Sequence, residues 1–368
     1  MKVLFLTRYP VEGASSRYRV YQYLPALAGI GVDAHVSSFM NSAMYRVVFS
    51  RSNSLQKGLH TVWAVIRRVL VVLTAQRYNL VVMQRELLPF GPPILEKFLR
   101  WLGVATVFDY DDALFIHKDS KHNRVASKMR RPDKTLQIFS LVDAVAAGNQ
   151  YLADCASPYC KNSFCVEVAE DTQRIPLRNF PQGKKVTIGW LGSPSTEKYL
   201  ELIRPVLEAL FKDRPDLEMH VIGGGDFQLE NTNVKHIPWQ LDTEVEHLLQ
   251  FDIGLMPLPL EEWSKGKSGG KARTYMTAGV VPVCTGIGYN LELISTGDTG
   301  FLVETDEDWL RVLTILVDSA ELRENIGRAA RKEVVERFSI DGQARKLKAV
   351  MNTAIAHRDL RLQSSGGV

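Results

Sequence analysis

In the stretch KGKSGGKARTYMTAG, residues 265–279, glycines and three lysines form a short loop that runs directly into a helical pattern. A phosphate-binding P-loop is excluded, because its Gly-x4-Gly-Lys-Ser/Thr signature needs a glycine where Glu261 stands. Gly269-Gly270-Lys271 instead places a lysine at a helix start, where its charge opposes the helix dipole unless an anion offsets it. That placement points to a phosphate-bearing ligand.

Three further loops carry residues of the same kind. TRYPVEGASSRYRVYQYLP (7–25) presents Ser15, Ser16, Arg17 and Arg19 at another helix start, where free backbone N–H groups favour an anion; solvated arginines beside an ordinary cap fit the same residues. FDYDDALFIH (108–117) clusters Asp109, Asp111 and Asp112, carboxylates able to orient sugar hydroxyls, act as a base, bind Mg²⁺ or cap a helix, with His117 closing the segment. MQRELLP (83–89) adds Arg85 and Glu86. In GWLGSPSTEKYL (189–200), Gly192 permits close backbone approach, and Ser193, Ser195 and Thr196 suit either capping or phosphate N–H donation.

These loops follow apolar runs that must position them. In the first half VLFL (3–6), VDAHVSSF (32–39), NLVVMQ (79–84), ATVFDY (105–110) and AVAAGN (144–149) alternate with helical patterns. The second half repeats the scheme with VTIGWLG (186–192), EMHVIGGG (218–225), NVKHIPW (233–239), FDIGLMPL (251–258), VVPVCTG (280–286) and GFLVE (300–304). Such alternation predicts an α/β protein of two doubly wound parallel sheets facing across a cleft, with ligands at the carboxyl ends of the strands. Pro176, Pro181 and Gly183 mark a join near 166–185. The domains expected are 1–172, 173–340 and a terminal segment, 341–368, whose helix packs back on the first domain and whose LQSSGGV tail is disordered.

A chain of 368 residues suits two domains, and 45% apolar with 23% charged residues is a globular composition. The net charge of +4 gives no ground for nucleic-acid binding. Cys155, Cys160, Cys165 and Cys284 lack Cys-x-x-Cys spacing and read as free thiols in a reducing compartment. The apolar run in MKVLFLTRYP is too short for a signal peptide, so a cytoplasmic location is expected.

Taken in order, SSRYRVYQYLP, YDDALF, IGWLGSPSTEKYL, FDIGLMPLP, GKSGGKARTYMTAGVVPV and GYNLELISTGDTGFLV make the chain resemble glycosyltransferase family 4 over nearly its whole length. The branch it resembles most builds bacterial surface polysaccharides and O-antigen-like glycans. This resemblance implies a GT-B fold of two Rossmann-like domains and retaining transfer from a nucleoside-diphosphate sugar, with no metal and no other cofactor. The acceptor implied is a glycan or lipid-linked glycan. It further implies a donor site of Ser15, Ser16, Arg17, Gly192, Ser193, Thr196, Gly266, Lys267, Lys271, Thr274, Asn290 and Leu291. Catalytic roles fall to Asp111, Asp112 and Lys271, and the acceptor side to Arg19, Arg85, Glu86, Asp109 and His117. Two positions depart from the family pattern: Gly266 and Thr274 stand where it has the glutamates of Glu-x7-Glu, and Glu261 or Glu262 is the compensating acid available.

Residues 57–75 are too short and too interrupted by Arg67-Arg68 to span a bilayer. At helical spacing Val62, Ile66, Val69 and Leu73 share a face opposite Lys57, His60, Arg67 and Arg68, a stripe that fits a sheet-covering helix or one lying on the inner face of the cell membrane. Beside an active transferase, two other readings stand: a non-catalytic subunit that binds a nucleotide sugar or glycan and supports a partner enzyme, and a GT-B-like epimerase.

Overall fold

The computed structural model describes residues 1–49, 54–116, 132–181, 183, 185–230 and 232–365. The chain divides into two compact units, one of Met1–Ala169 with Ile340–Val368 and one of Glu170–Ser339.

The sheet of the first unit is wholly parallel, with the order β2-β1-β3-β4-β5-β6. Its strands are β1 (Lys2–Thr7), β2 (Asp33–Ser38), β3 (Leu80–Gln84), β4 (Ala105–Tyr110), β5 (Ala144–Ala147) and β6 (Ser163–Cys165). Runs such as LVVMQ and ATVFDY are buried at every position, as expected of strands covered on both faces. Val3, Phe5, Leu80, Val82, Val107 and Ala146 form the core together with Leu347 and Met351 of the last helix, Ile340–Ser365. That helix therefore belongs to the first unit. It continues through Leu362–Ser365, where sequence composition suggested disorder, and Leu362 lies against Gly103. The last three residues of the expected tail lie outside the described residues.

The second unit repeats the plan with the order β12-β11-β10-β7-β8-β9, again all parallel. Its strands are β7 (Thr187–Leu191), β8 (Glu218–Ile222), β9 (Val234–Ile237), β10 (Ile253–Met256), β11 (Val281–Thr285) and β12 (Phe301–Val303). Ile188, Trp190, Ile253, Leu255 and Val283 are central to its core, packed by Leu207, Leu210 and Leu313. The short strand β6 lacks an apolar run; Ser163–Cys165 is only partly buried and pairs along its length with β5.

In each sheet the strand order reverses beside the first strand, between β1 and β3 in one unit and between β7 and β10 in the other. Loops leaving adjacent strands at such a reversal splay apart and open a crevice where ligands of doubly wound folds bind.

The helix Ser54–Leu73 departs from expectation in its orientation. Arg67 and Arg68 turn inward: Arg67 donates to the carbonyls of Ser38 and Phe39, and Arg68 to those of Ser37 at 3.2 Å and Thr7 at 2.6 Å. The Thr7 carbonyl also accepts from the Phe39 N–H at 2.8 Å, and the two guanidinium groups add donors to it and to the carbonyls at the end of the edge strand β2. Burial, together with neighbouring Arg67 and Arg8, pushes Arg68 down to about 9. Consequently the apolar stripe containing Val62, Ile66 and Leu73 is exposed rather than laid on the sheet.

Candidate functional site

At the reversal of the first sheet, the loop after β1 and the ends of β3 and β4 form one polar network. The Gln84 side chain, on the last residue of β3, accepts from Ser16 Oγ at 2.9 Å and from the backbone N–H of Arg8 at 3.1 Å, and donates to Ser15 Oγ at 3.0 Å. Ser15 Oγ in turn donates to both carboxylate oxygens of Asp111, at 3.1 and 3.0 Å. Arg85 Nη2 lies 3.2 Å from Asp111 Oδ1 and 2.5 Å from Asp112 Oδ2. One guanidinium thus holds two neighbouring carboxylates. Burial alone would lower Arg85, but Asp111 and Asp112 outweigh it and hold the group above its ordinary value.

The backbone contributes as well. Arg85 has φ of +66°, the sole positive value for a non-glycine among the described residues, and its N–H donates to Asp109 O at 2.9 Å. Left-handed backbone at a side chain of this size is strained and persists only where surrounding contacts hold it. Gly148, at the end of β5, lets the Asp111 backbone come close: a Cβ there would lie 3.1 Å from the Asp111 Cα.

Other sequence-identified residues of this unit are engaged within it. Arg19 and Asp109 form a bidentate pair at 2.9 and 2.5 Å, both almost fully buried, and Arg19 also donates to Val166 O. Burial opposes the Arg19 charge, yet Asp109 outweighs it and raises the guanidinium above its usual range. Ser16 is buried, and Arg17 donates to the Val11 and Glu12 carbonyls at 3.3 Å. Glu86 accepts from Thr135 Oγ1 at 3.3 Å. His117 lies outside the described residues.

The second unit uses little charge at its reversal. Gly192 follows β7, and a Cβ there would meet the Trp190 ring at 2.4 Å and Lys271 Cε at 2.9 Å. Glycine is required for this approach. Lys271 Nζ lies over the Trp190 ring, 5.2 Å from its centroid. The helix carrying Lys271, Gly270–Ala278, starts from Gly269 in the left-handed region at φ +66° and has no acidic residue in its first turn. A Cβ on Gly269 would meet Tyr289 at 2.9 Å and Leu293 at 3.0 Å, so the loop closes tightly on the segment holding Asn290.

Ser193 and Thr196 cap the four-residue helix Pro194–Glu197, with Ser193 N–H donating to Thr196 Oγ1 at 3.3 Å. Ser193 is exposed and Thr196 half-buried. Lys267 lies 3.9 Å from the Trp263 ring centroid. Gly266 and Thr274 are buried, Asn290 donates from its buried side chain to Thr285 O at 3.0 Å, and Leu291 is exposed. Glu261 and Glu262 are exposed, and Glu262 pairs with Lys265 at 2.9 Å.

Sequence reasoning missed Gln84 because it closes an apolar strand run, and Glu197 because it follows a capping motif. The buried Glu197 carboxylate accepts from the N–H groups of Asp226 and Phe227 at 3.1 and 3.2 Å, fixing the loop after β8. The run Gly223-Gly224-Gly225 was its available signal, since a Cβ on Gly224 would collide with Glu197 at 2.3 Å. Also missed was the pair Arg273 and Glu170, fully buried 3.8 Å apart, with no hydrogen-bond partner for either charged group among the described residues.

Residues 185–318, within the second unit, match the family model described as glycosyl transferases group 1. No curated protein matches the chain. Among solved structures the chain is similar to HepE from Anabaena in complex with UDP-glucose, at a TM-score of 0.71 and 15% identity over 96% of this chain and 100% of that one. It is similar also to sucrose-phosphate synthase from Thermosynechococcus elongatus, at a TM-score of 0.69 and 12% identity over 97% and 99% of the two chains. A glycosyltransferase from Rickettsia africae matches at 0.65 and 15% identity over 96% and 98%. At these identities the likeness shows the fold: two parallel α/β units of the GT-B kind. The domain match and this fold together support a GT-B glycosyltransferase.

Proposed function

We propose that the chain is a retaining, metal-independent glycosyltransferase of the family 4 kind. It moves a sugar from a nucleoside-diphosphate sugar to a glycan or lipid-linked glycan in bacterial polysaccharide biosynthesis. The observation that carries this reading is Lys271: a cation in the first turn of a helix with no acid there, drawn against Gly192 and Trp190 at a sheet reversal. A diphosphate supplies the negative charge such a helix start calls for. HepE was solved with UDP and with UDP-glucose, which supports the donor class.

In this reading Lys271, Lys267 and the backbone N–H groups beyond Gly269 stabilise charge on the departing nucleoside diphosphate. Thr274 offers a hydroxyl to the donor ribose, giving a neutral hydrogen bond where a carboxylate gives one about twice as strong. In the first unit, Asp111 and Asp112, oriented by Arg85 and Ser15, hold hydroxyls of the acceptor. A non-catalytic, sugar-nucleotide-binding subunit is the second reading, favoured by Gly266 and Thr274 standing where the family has two carboxylates.

Thermal shifts with UDP, GDP, ADP, CMP and dTDP species, with and without EDTA, test the donor site. At a hundred times its dissociation constant one nucleotide stabilises the protein by ~2.7 kcal/mol irrespective of EDTA, and Lys271→Ala abolishes the shift. No shift with any nucleotide overturns the reading. Product analysis with the matching sugar nucleotide then separates transfer from epimerisation and from binding alone.

A further inference from the structure

The helix Ser54–Leu73 bears the most extensive apolar surface of the first unit: Leu59, Val62, Trp63, Ile66, Leu70 and Leu73 are each 46–66% exposed. Their spacing puts them on one stripe about 21 Å long at 1.5 Å per residue. Ala64, Arg68 and Val72 form the opposite, buried face. Single exposed apolar residues are ordinary, whereas a contiguous stripe marks a surface that something covers. The orientation is held from beneath, because Arg67 and Arg68 tie the helix to the carbonyls of Thr7, Ser37, Ser38 and Phe39.

Charge identifies the occupant. From residue 34 to residue 85 the chain has no aspartate or glutamate, while it has seven lysines and arginines. Arg46 and Arg77 are exposed beside this stripe in sequence, and Lys57 is half-buried on the helix itself. The adjacent helix Ile94–Trp101 adds Ile94, Lys97 and Trp101, all exposed and spaced to share one face. Arg67, Arg68 and Arg85 are engaged inside the unit, which leaves Arg46, Lys57, Arg77 and Lys97 as the outward cations among the described residues here. An apolar stripe containing tryptophan, in a stretch with exposed cations and no carboxylate from residue 34 to residue 85, matches the layered chemistry of an anionic bilayer surface. Among the described residues no helix is long and apolar enough to cross a membrane, so the contact is with the surface.

We infer that this helix docks the first unit flat on an anionic phospholipid bilayer, its apolar stripe entering the headgroup boundary. The inference stands apart from the donor-site reading, because vesicle binding requires neither donor nor acceptor.

Flotation of the full chain with vesicles of phosphatidylcholine alone, and of phosphatidylcholine with 30% phosphatidylglycerol, tests it. The protein floats with the anionic vesicles at least tenfold better than with the neutral ones, and added salt weakens the binding. Trp63→Glu with Ile66→Asp reduces that binding at least tenfold while leaving the melting temperature of the free protein unchanged or higher. The inference is overturned if the wild type ignores anionic vesicles, or if the double variant floats equally well. It is overturned also if sedimentation shows a soluble dimer that the variant dissociates, since a second copy then covers the stripe.

Discussion

The two units place their candidate site residues at the same point of similar sheets by opposite means. At its reversal the first unit gathers charge, with Arg19 on Asp109 and Arg85 on Asp111 and Asp112. The second removes side chains there, with Gly192, Gly223 and Gly269 at close approaches and Lys271 as the cation beside them. Paired charges fix hydroxyl-binding groups in place while cancelling most of the field. Glycines leave backbone N–H groups and one cation to face a ligand. The contrast suits a neutral, hydroxyl-rich ligand in one unit and an anionic one in the other.

Asp109→Ala should break the first pattern most severely. It leaves the Arg19 guanidinium buried without its partner, and urea denaturation should show a loss of about 3–5 kcal/mol. Lys271→Ala should instead leave stability nearly unchanged, because lost packing on Trp190 is offset by removing a cation from a helix N-terminus, and reduce the transfer rate about 10²–10³-fold as an electrostatic donor to the transition state is lost. A large stability loss without a rate effect would reverse the contrast. Gly192→Ala forces a methyl against the Trp190 ring, and a loss of about 1–3 kcal/mol is expected with weakened nucleotide binding.

Glu170 sharpens the comparison, since it is a buried carboxyl of the second unit whose side chain has no hydrogen bond among the described residues. Burial pushes its carboxyl from 4.5 up to about 8, only partly opposed by Arg273. The folded state therefore holds a proton that the unfolded state has lost between those values. Stability is greatest below the unfolded value and is lost as pH rises towards 8, by roughly 2–3 kcal/mol from pH 5 to pH 7. Glu170→Gln should flatten that slope in pH-dependent melting curves. The smallest effect belongs to Glu262→Ala, where loss of the exposed pair with Lys265 should change stability by under about 0.5 kcal/mol.

Part of the candidate site carried a local signal in the sequence. Lys271, Gly192 and the Asp111–Asp112 pair stand out by residue type in polar or glycine-rich loops after apolar runs, whereas the contacts of Lys271 with Trp190 and of Asp111 with Ser15 and Arg85 come from distant segments. Ser16, Arg19, Asp109 and Asn290 have the same chemical appearance in sequence, yet each is buried and engaged inside its unit. Gln84 organises the first site from the end of an apolar strand, where nothing local distinguishes it from a core residue.

The sequence by itself determined that there are two parallel α/β units, because apolar runs and helical periodicity are local patterns that burial on both faces of a sheet demands. It also determined the glycine and lysine loop, whose backbone freedom and charge depend on residue type. Only the tertiary structure decided that Asp109 faces Arg19, ninety residues away, and that Arg67 and Arg68 point inward so that their helix shows its apolar side. Those outcomes depend on strand order and on which backbone carbonyls the sheet ends bring within reach of a helix, neither of which any local pattern encodes.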